Sequence, residues 1–297
     1  MIACLYKILY KVAGRKTELL VYRLIKLFLI IFYPIYCTIN KHRSHKKVVN
    51  KVIVSLTTFP ARIDTVWITI ETLLRQTYKP EMIILWLAET QFKSMESLPK
   101  KLLNLQRFGL TIKFCDDLRS HKKYYYSMQN YPEHIIITVD DDTFYPEDLV
   151  ENLTTAHYTY PDAVCCNYGH VITIEEGNIE PYSKWNSGVN GYIHPSEYLV
   201  PIGCEGVLYP PGCLFEDAFD KGKIASLCPL ADDLWLKSMS ALNGIKAVRA
   251  NPKSISYANL PVAKKNPLNE LNVNENMNDI QLNSIMDQYP ELKKIWT

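Results

Sequence analysis

The sequence predicts an α/β protein with a doubly wound, mostly parallel sheet and flanking helices, preceded by an amphipathic segment that associates with a membrane. Three observations lead there. From residue 52 onward, short apolar runs alternate with stretches of helical periodicity. The runs are apolar at nearly every position, as strands covered on both faces require. The residues before 48 differ in composition from everything after them.

Residues 52–56 read as the first strand, 66–75 as a helix and 83–87 as a second, nearly all-apolar strand. The alternation continues with a helical 99–108, a strand 110–114, a helical 123–130, a strand 135–139 and a helix 146–157. Cys165 and Cys166 sit in a further apolar stretch that reads as a buried strand. Beyond residue 167 the pattern weakens into loops rich in Gly, Pro, Tyr and Trp. A last helix opens at Asp232-Asp233 and stops at Asn243-Gly244, a common helix end. The tail is Asn-rich from residue 266, yet Ile280, Leu282, Ile285, Met286 and Trp296 suggest a docked helix. These readings divide the chain into 1–47, 48–260 and 261–297, with a change of character at 167.

With 297 residues, 47% hydrophobic and 22% charged, the chain has a globular composition. Its net charge of +2 conceals an asymmetry: residues 1–51 hold eleven of the 33 Lys and Arg but one of the 31 acidic residues. Lys7, Lys11 and Arg15 recur every four residues, and Ile2, Leu5, Leu9 and Val12 take the other side of the helical wheel. They lead into an uncharged, Pro34-broken stretch, 27–37, which is shorter than the ~20 apolar residues a bilayer span needs. A basic, apolar start followed by an acidic body points to an anionic membrane surface and away from nucleic acid. The expected location is the cytoplasmic face, peripheral or monotopic, with a short span within 19–40 as the second choice. The eight cysteines show no CxxC spacing, consistent with a reduced compartment, and the Asn152 sequon falls inside a helical stretch.

The strand 135–139 runs into Asp140-Asp141-Asp142. In an open parallel sheet the ligand sits beyond the carboxyl ends of the strands. Three adjacent carboxylates raise one another's pKa, a cost that a cation among them removes, so a metal site is favoured over a solvated acidic turn. A hard divalent ion, Mg2+ or Mn2+, takes one or two carboxylates and completes its shell with substrate phosphates, so a diphosphate leaving group is implied.

Four motifs occur in a fixed order: Ser55-Leu-Thr-Thr-Phe-Pro-Ala-Arg62, Gln76-Thr, Ser120-His-Lys-Lys123 and the triple Asp followed by Thr-Phe-Tyr-Pro. In this layout the chain resembles GT-A glycosyltransferases, in particular small bacterial capsule and cell-surface polysaccharide transferases, over about residues 50–245. The resemblance implies a GT-A catalytic domain, with a nucleotide-sugar half at 48–167 and an acceptor half at 168–260. It makes Asp140 the carboxylate near the ribose and a metal ligand, Asp142 the direct metal ligand, and Asp141 a partner in either task. Thr57 and Arg62 follow the first strand, where the family's base and ribose lie, although Arg62 could equally form a surface salt bridge. Asp116 and Asp117 end the third strand, where a carboxylate could reach the base. Lys122 and Lys123 follow and could neutralise the diphosphate or simply open a solvated helix.

Ala231-Asp232-Asp233 resembles the family's second acidic motif, which in inverting members supplies the base that deprotonates the acceptor. Aspartates at a helix start also act as caps without any catalysis. Tyr182 to Trp185 and the stretch from Glu205 to Gly212 could form the acceptor side or the core. No histidine follows Asp233, so the C-terminal His ligand of some relatives is missing, as is the QxxRW motif of processive synthases. The expected function is non-processive transfer of a sugar from a nucleotide diphosphate donor to a glycan or lipid-linked acceptor, inverting by way of Asp232 or Asp233. The alternatives are a nucleotidyltransferase, disfavoured by the lack of a Gly-rich phosphate loop near the first strand, and a non-catalytic carbohydrate-binding protein.

Overall fold

The structure, a computed structural model, describes Tyr33 and residues 47–188, 191–252, 257–260 and 276–296. Apart from Tyr33 and Lys47, the basic amphipathic segment lies outside the described residues, and so does the stretch 261–275. Among the described residues no helix is long and apolar enough to cross a membrane.

The first half is serial βα winding. Strand β1 (Lys47–Thr57) leads to helix α1 (Val66–Leu73), β2 (Tyr78–Ala88) to α2 (Lys100–Leu103), and β3 (Leu110–Cys115) to α3 (Lys122–Asn130). Then come β4 (Ile135–Thr138), the short β5 (Thr143–Phe144), α4 (Leu149–Thr159) and β6 (Val164–Cys166). β1 begins at Lys47 rather than residue 52, because the chain resumes pairing with β2 across a register break at Lys51, whose φ is 58°.

The loops expected after residue 167 contain more order than the sequence suggested. They hold β7 (Gly169–Val171), β8 (Ile174–Glu175), β9 (Asn178–Ile179), β10 (Asn186–Ser187), β11 (Leu199–Pro201), β12 (Val207–Tyr209) and α5 (Lys221–Leu227). Strands of two or three residues are too short to show a period. α6 (Asp232–Leu242), β13 (Ala247–Arg249), β14 (Ala258–Asn259), α7 (Met277–Gln288) and α8 (Glu291–Trp296) complete the chain.

The central sheet has seven strands in the order β13-β6-β12-β4-β1-β2-β3, all parallel except β12. The expected mostly parallel α/β architecture is therefore present, with one antiparallel strand set into its middle. Alternate residues face opposite sides. Val52, Val54 and Leu56 pack with Leu85 and Leu87 under α1, α2 and α4, whereas Ile53, Ile84 and Trp86 face α3. On that second side α6 supplies Trp235 and Met239, and α7 and α8 bury Leu282, Ile285, Met286, Leu292 and Trp296 against them, leaving Ile280 53% exposed.

Candidate active site

β1 to β4 run parallel and end at one edge of the sheet, so the polar residues that follow them meet there. Beyond β4, Asp141 turns inward while Asp140 and Asp142 stay partly open, with side-chain exposures of 34% and 20%. Asp141 accepts from Thr58 Oγ1 at 2.5 Å and from Arg62 Nη1 at 2.6 Å, and its carbonyl accepts from Thr69 Oγ1 at 3.0 Å. Burial pushes the Asp141 carboxyl upward against the pull of Arg62 and Thr58. Arg62 also reaches Asp142 Oδ2 at 3.1 Å and lies over the Phe59 ring, so it is built into the acidic turn rather than paired at the open surface. Asp142 is pushed up to about 6, first by burial and then by Asp140.

Asp140 is positioned by Tyr145, whose Oη accepts from the Asp140 N–H at 2.9 Å and donates to the Cys204 carbonyl at 3.0 Å. Its carboxylate receives Lys123. A polar seam under α3 sets that lysine: Ser55 Oγ donates to the Lys123 carbonyl at 2.5 Å, and Ser127 Oγ contacts both Ser55 Oγ and Trp86 Nε1 at 2.7 Å. Lys123 Nζ then lies 2.8 Å from Asp140 Oδ1 and 2.9 Å from Asp232 Oδ2. Burial works against its charge, but Asp140, Asp232 and Asp233 outweigh that and hold its pKa well above the ordinary lysine value.

Lys122 points elsewhere. Its Nζ sits 2.5 Å from Asp117 Oδ1, and that carboxylate also accepts from Gln91 Nε2 at 2.8 Å and the Arg119 N–H at 2.9 Å. Burial raises the Asp117 pKa, yet Lys122 and Arg119 bring it below the usual range. Neither lysine is a solvated helix start, since Lys122 and Lys123 are 2% and 4% exposed. Asp116 is exposed and pairs with Lys221. Thr57 donates its hydroxyl to the Trp86 carbonyl at 2.8 Å, so it braces the sheet, and it is Thr58 that meets the acidic turn.

The two aspartates at the start of α6 have different surroundings. The N-cap of the helix is Ala231 and makes no side-chain cap bond, so capping does not account for the pair. Asp232 is 7% exposed against Lys123; burial raises its pKa, but Lys123 and His121 reverse the sign and leave it lowered. Asp233 is more open, and its Oδ1 accepts from the Gly203 N–H at 3.0 Å. Its pKa is raised, by burial first and by Asp232 next, against Lys123. Gly203 permits this approach: a Cβ there would fall 2.9 Å from Lys123 Nζ and 3.2 Å from Asp233 Oδ1.

Among the described residues no three His, Cys, Asp or Glu side chains form a complete metal cage. Asp141 is buried against Arg62 and Thr58, whereas Asp140 and Asp142, although paired at one oxygen with Lys123 and Arg62, are the more exposed carboxylates of the turn. Two partly exposed carboxylates close enough for one to raise the other suit a hard ion that keeps positions open for substrate oxygens. Sequence reading missed Thr58, Tyr145 and Gly203. Thr58 was visible in the Thr-Thr pair, but Tyr145 and Gly203 matter only through contacts with Cys204 and Asp233 that folding creates.

No protein-family profile and no curated protein sequence matches the chain. Among solved structures it is similar to a mannosyltransferase from Pyrobaculum calidifontis in complex with GDP-Man and Mn2+, at 11% identity and a TM-score of 0.44, over 82% of this chain and 68% of that one. It is also similar to S. aureus TarS 1–349 in complex with UDP, at 11% identity and a TM-score of 0.44, over 70% of this chain and 59% of that one. A 4-diphosphocytidyl-2C-methyl-D-erythritol synthase matches at 8% identity and a TM-score of 0.40, over 71% of this chain and 91% of that one. At identities and scores of this size, function has to be read from the side chains of the site.

Proposed function

We propose that the chain is a metal-dependent, non-processive glycosyltransferase that moves a sugar from a nucleoside diphosphate donor to a glycan or lipid-linked acceptor with inversion. One observation carries the reading: Lys123 joins the acidic turn after β4 to the acidic start of α6, leaving Asp233 partly open beside it and Asp142 partly open beside Arg62. The motif order of the sequence supports the same conclusion.

Mg2+ or Mn2+ held by Asp140 and Asp142 would supply charge stabilisation to the departing diphosphate. Arg62 and Thr58 fix Asp141 and thereby the turn that presents its two neighbours. Lys123 keeps a buried positive charge next to Asp140, on the side where the diphosphate gains charge. Asp233, whose Oδ1 accepts from the Gly203 N–H, is the proton acceptor of the pair; burial and Asp232 push its carboxyl up to about 8, so it takes that role in the ionised form that dominates above that pH. The acceptor oxygen attacks the anomeric carbon, the bond to the diphosphate oxygen breaks, and the hydroxyl proton passes to Asp233. Asp232 is committed to Lys123 and acts as a positioning residue. Asp117, held by Lys122 and Gln91, stands at the end of β3 where a nucleobase edge would be read.

The basic, apolar start of the chain supports a peripheral or monotopic association with an anionic cytoplasmic membrane face. Co-sedimentation of the whole chain with anionic rather than neutral vesicles is the expected result. The catalytic reading is tested by incubating the purified protein with a panel of nucleotide sugars and Mn2+. Release of nucleoside diphosphate is expected. Release of pyrophosphate from a nucleoside triphosphate and a sugar phosphate would establish nucleotidyl transfer instead, and binding without release of either would establish a non-catalytic protein.

A further inference from the structure

Next to Asp233 stands a row of partly exposed aromatic rings to which no step above assigns a task. The Tyr168 and His170 ring centroids are 5.5 Å apart, His170 and Tyr182 again 5.5 Å, and Tyr182 rests on the buried Trp185 at 4.9 Å. The row is attached to the site through the backbone. The Tyr168 carbonyl accepts from the Ile202 N–H at 3.1 Å, and the next residue, Gly203, donates to Asp233. From the other side, Asp279 of α7 accepts from the Tyr182 N–H at 2.7 Å and holds the turn that carries that ring.

Among the described residues the polar tips of this row are unengaged. Tyr124, Tyr125 and Tyr145 donate their hydroxyls to backbone carbonyls, and Tyr289 donates to Asp217. Among the described residues, Tyr168, His170 and Tyr182 make no such side-chain hydrogen bond. Burial holds His170 down to about 4, so its ring is neutral near pH 7. The nearest lysine on the segment, Lys184, is paired with Glu180, and the carboxylates nearby are Asp233 and Asp279. The cations closest to the row are already engaged: Lys123, beside Asp233, is shared by Asp140 and Asp232, and Arg249 donates to the Asn167 carbonyl, so an acidic sugar would meet carboxylates more readily than a cation.

We infer that Tyr168, His170 and Tyr182, inclined to one another by 73° and 46°, form a cupped acceptor subsite in which the tyrosine rings pack against different sides of a neutral pyranose and turn one of its hydroxyls toward Asp233. This rests on the glycosyltransferase reading and adds to it the class of acceptor. Rings that pack against a sugar contribute about 1 kcal/mol each beyond simple area burial, which is roughly a fivefold to tenfold change in affinity.

The test measures binding of methyl β-glucopyranoside, methyl β-galactopyranoside and methyl β-glucuronide to the whole chain, alongside binding of UDP and GDP with Mn2+. At least one neutral glycoside should bind, and the glucuronide should bind more weakly. Tyr182→Ala and Tyr168→Ala should weaken the neutral glycoside about tenfold, and Tyr182→Phe should keep the stacking. Nucleotide affinity should be unchanged in all three variants, which also reports that they are folded. Unchanged glycoside affinity in both Ala variants, equal affinity for the glucuronide, or no neutral glycoside bound by the wild type overturns the inference. Absence of nucleotide binding by the wild type overturns the underlying reading instead.

Discussion

Asp140 and Asp232 are held by one ammonium, that of Lys123, at 2.8 and 2.9 Å. Everything distinctive about the site follows from that shared cation, because it brings a strand end and a helix start to one point. Lys123→Met should therefore be severe. Removing one partner of a buried ion pair leaves its carboxylates uncompensated, a loss of about 3–5 kcal/mol. Denaturant unfolding should show that loss, whereas a change below about 1 kcal/mol, as for an exposed pair, would contradict the burial argument.

The two aspartates of α6 should separate cleanly. Asp233→Asn removes the proton acceptor and should lower turnover by about 10²-fold to 10⁴-fold, with little change in melting temperature. Asp232→Asn takes a charge from Lys123 and should chiefly lower stability. If Asp233→Asn retains near-normal turnover, or if the product keeps the donor's anomeric configuration, the base is assigned wrongly.

Asp142→Asn should weaken Mn2+ binding in the presence of nucleoside diphosphate and abolish turnover, and excess chelator should do the same to the wild type. Asp141→Asn should act differently. It breaks the Arg62 pair and loosens the turn, so it should cost stability as well as activity. Full turnover in chelator would remove the metal from the mechanism.

Gly203→Ala tests a close approach. The added methyl would meet Lys123 Nζ at 2.9 Å and Asp233 Oδ1 at 3.2 Å. Overpacking of this kind costs about 1–3 kcal/mol, and here it should displace the ammonium from the carboxylates, so turnover should fall more steeply than stability. Unchanged kinetics would mean that Lys123 can move aside freely.

The pH dependence of stability should carry the mark of Lys237. It is 2% exposed on α6, and its Nζ has no hydrogen-bond partner among the described residues. Burial brings its pKa down from 10.5 to about 8, with Glu197 pulling weakly the other way. A depressed lysine contributes fully to stability above its unfolded pKa and loses that contribution as pH falls through the folded one. The window thus runs from about 10.5 down to about 8. Lys237→Met should exceed the wild type in stability by on the order of 3 kcal/mol below pH 8, with the gain vanishing toward pH 10.5. A pH-independent difference between the two proteins would show that the amine is solvated.

Much of the fold was legible because both faces of the sheet are covered. Apart from Ser55, residues 52–56 and 83–87 are apolar on both sides, so their runs stand out from the chain. β12 did not stand out. Three residues have no period, and their place between β4 and β6 depends on long-range pairing to Ile136, Ile137 and Thr138.

The sequence by itself determined that three carboxylates follow a central strand and two more open a late helix, since like charges in a row mark a place where a cation is wanted. Which member of each adjacent pair faces that place was decided only by tertiary structure. Neighbours on a strand point to opposite faces, and neighbours on a helix differ by about 100°. Packing therefore placed Thr58 rather than Thr57, and Lys123 rather than Lys122, at the acidic turn. The same rotation gave Asp232 to the buried ammonium and left Asp233 open beside Gly203.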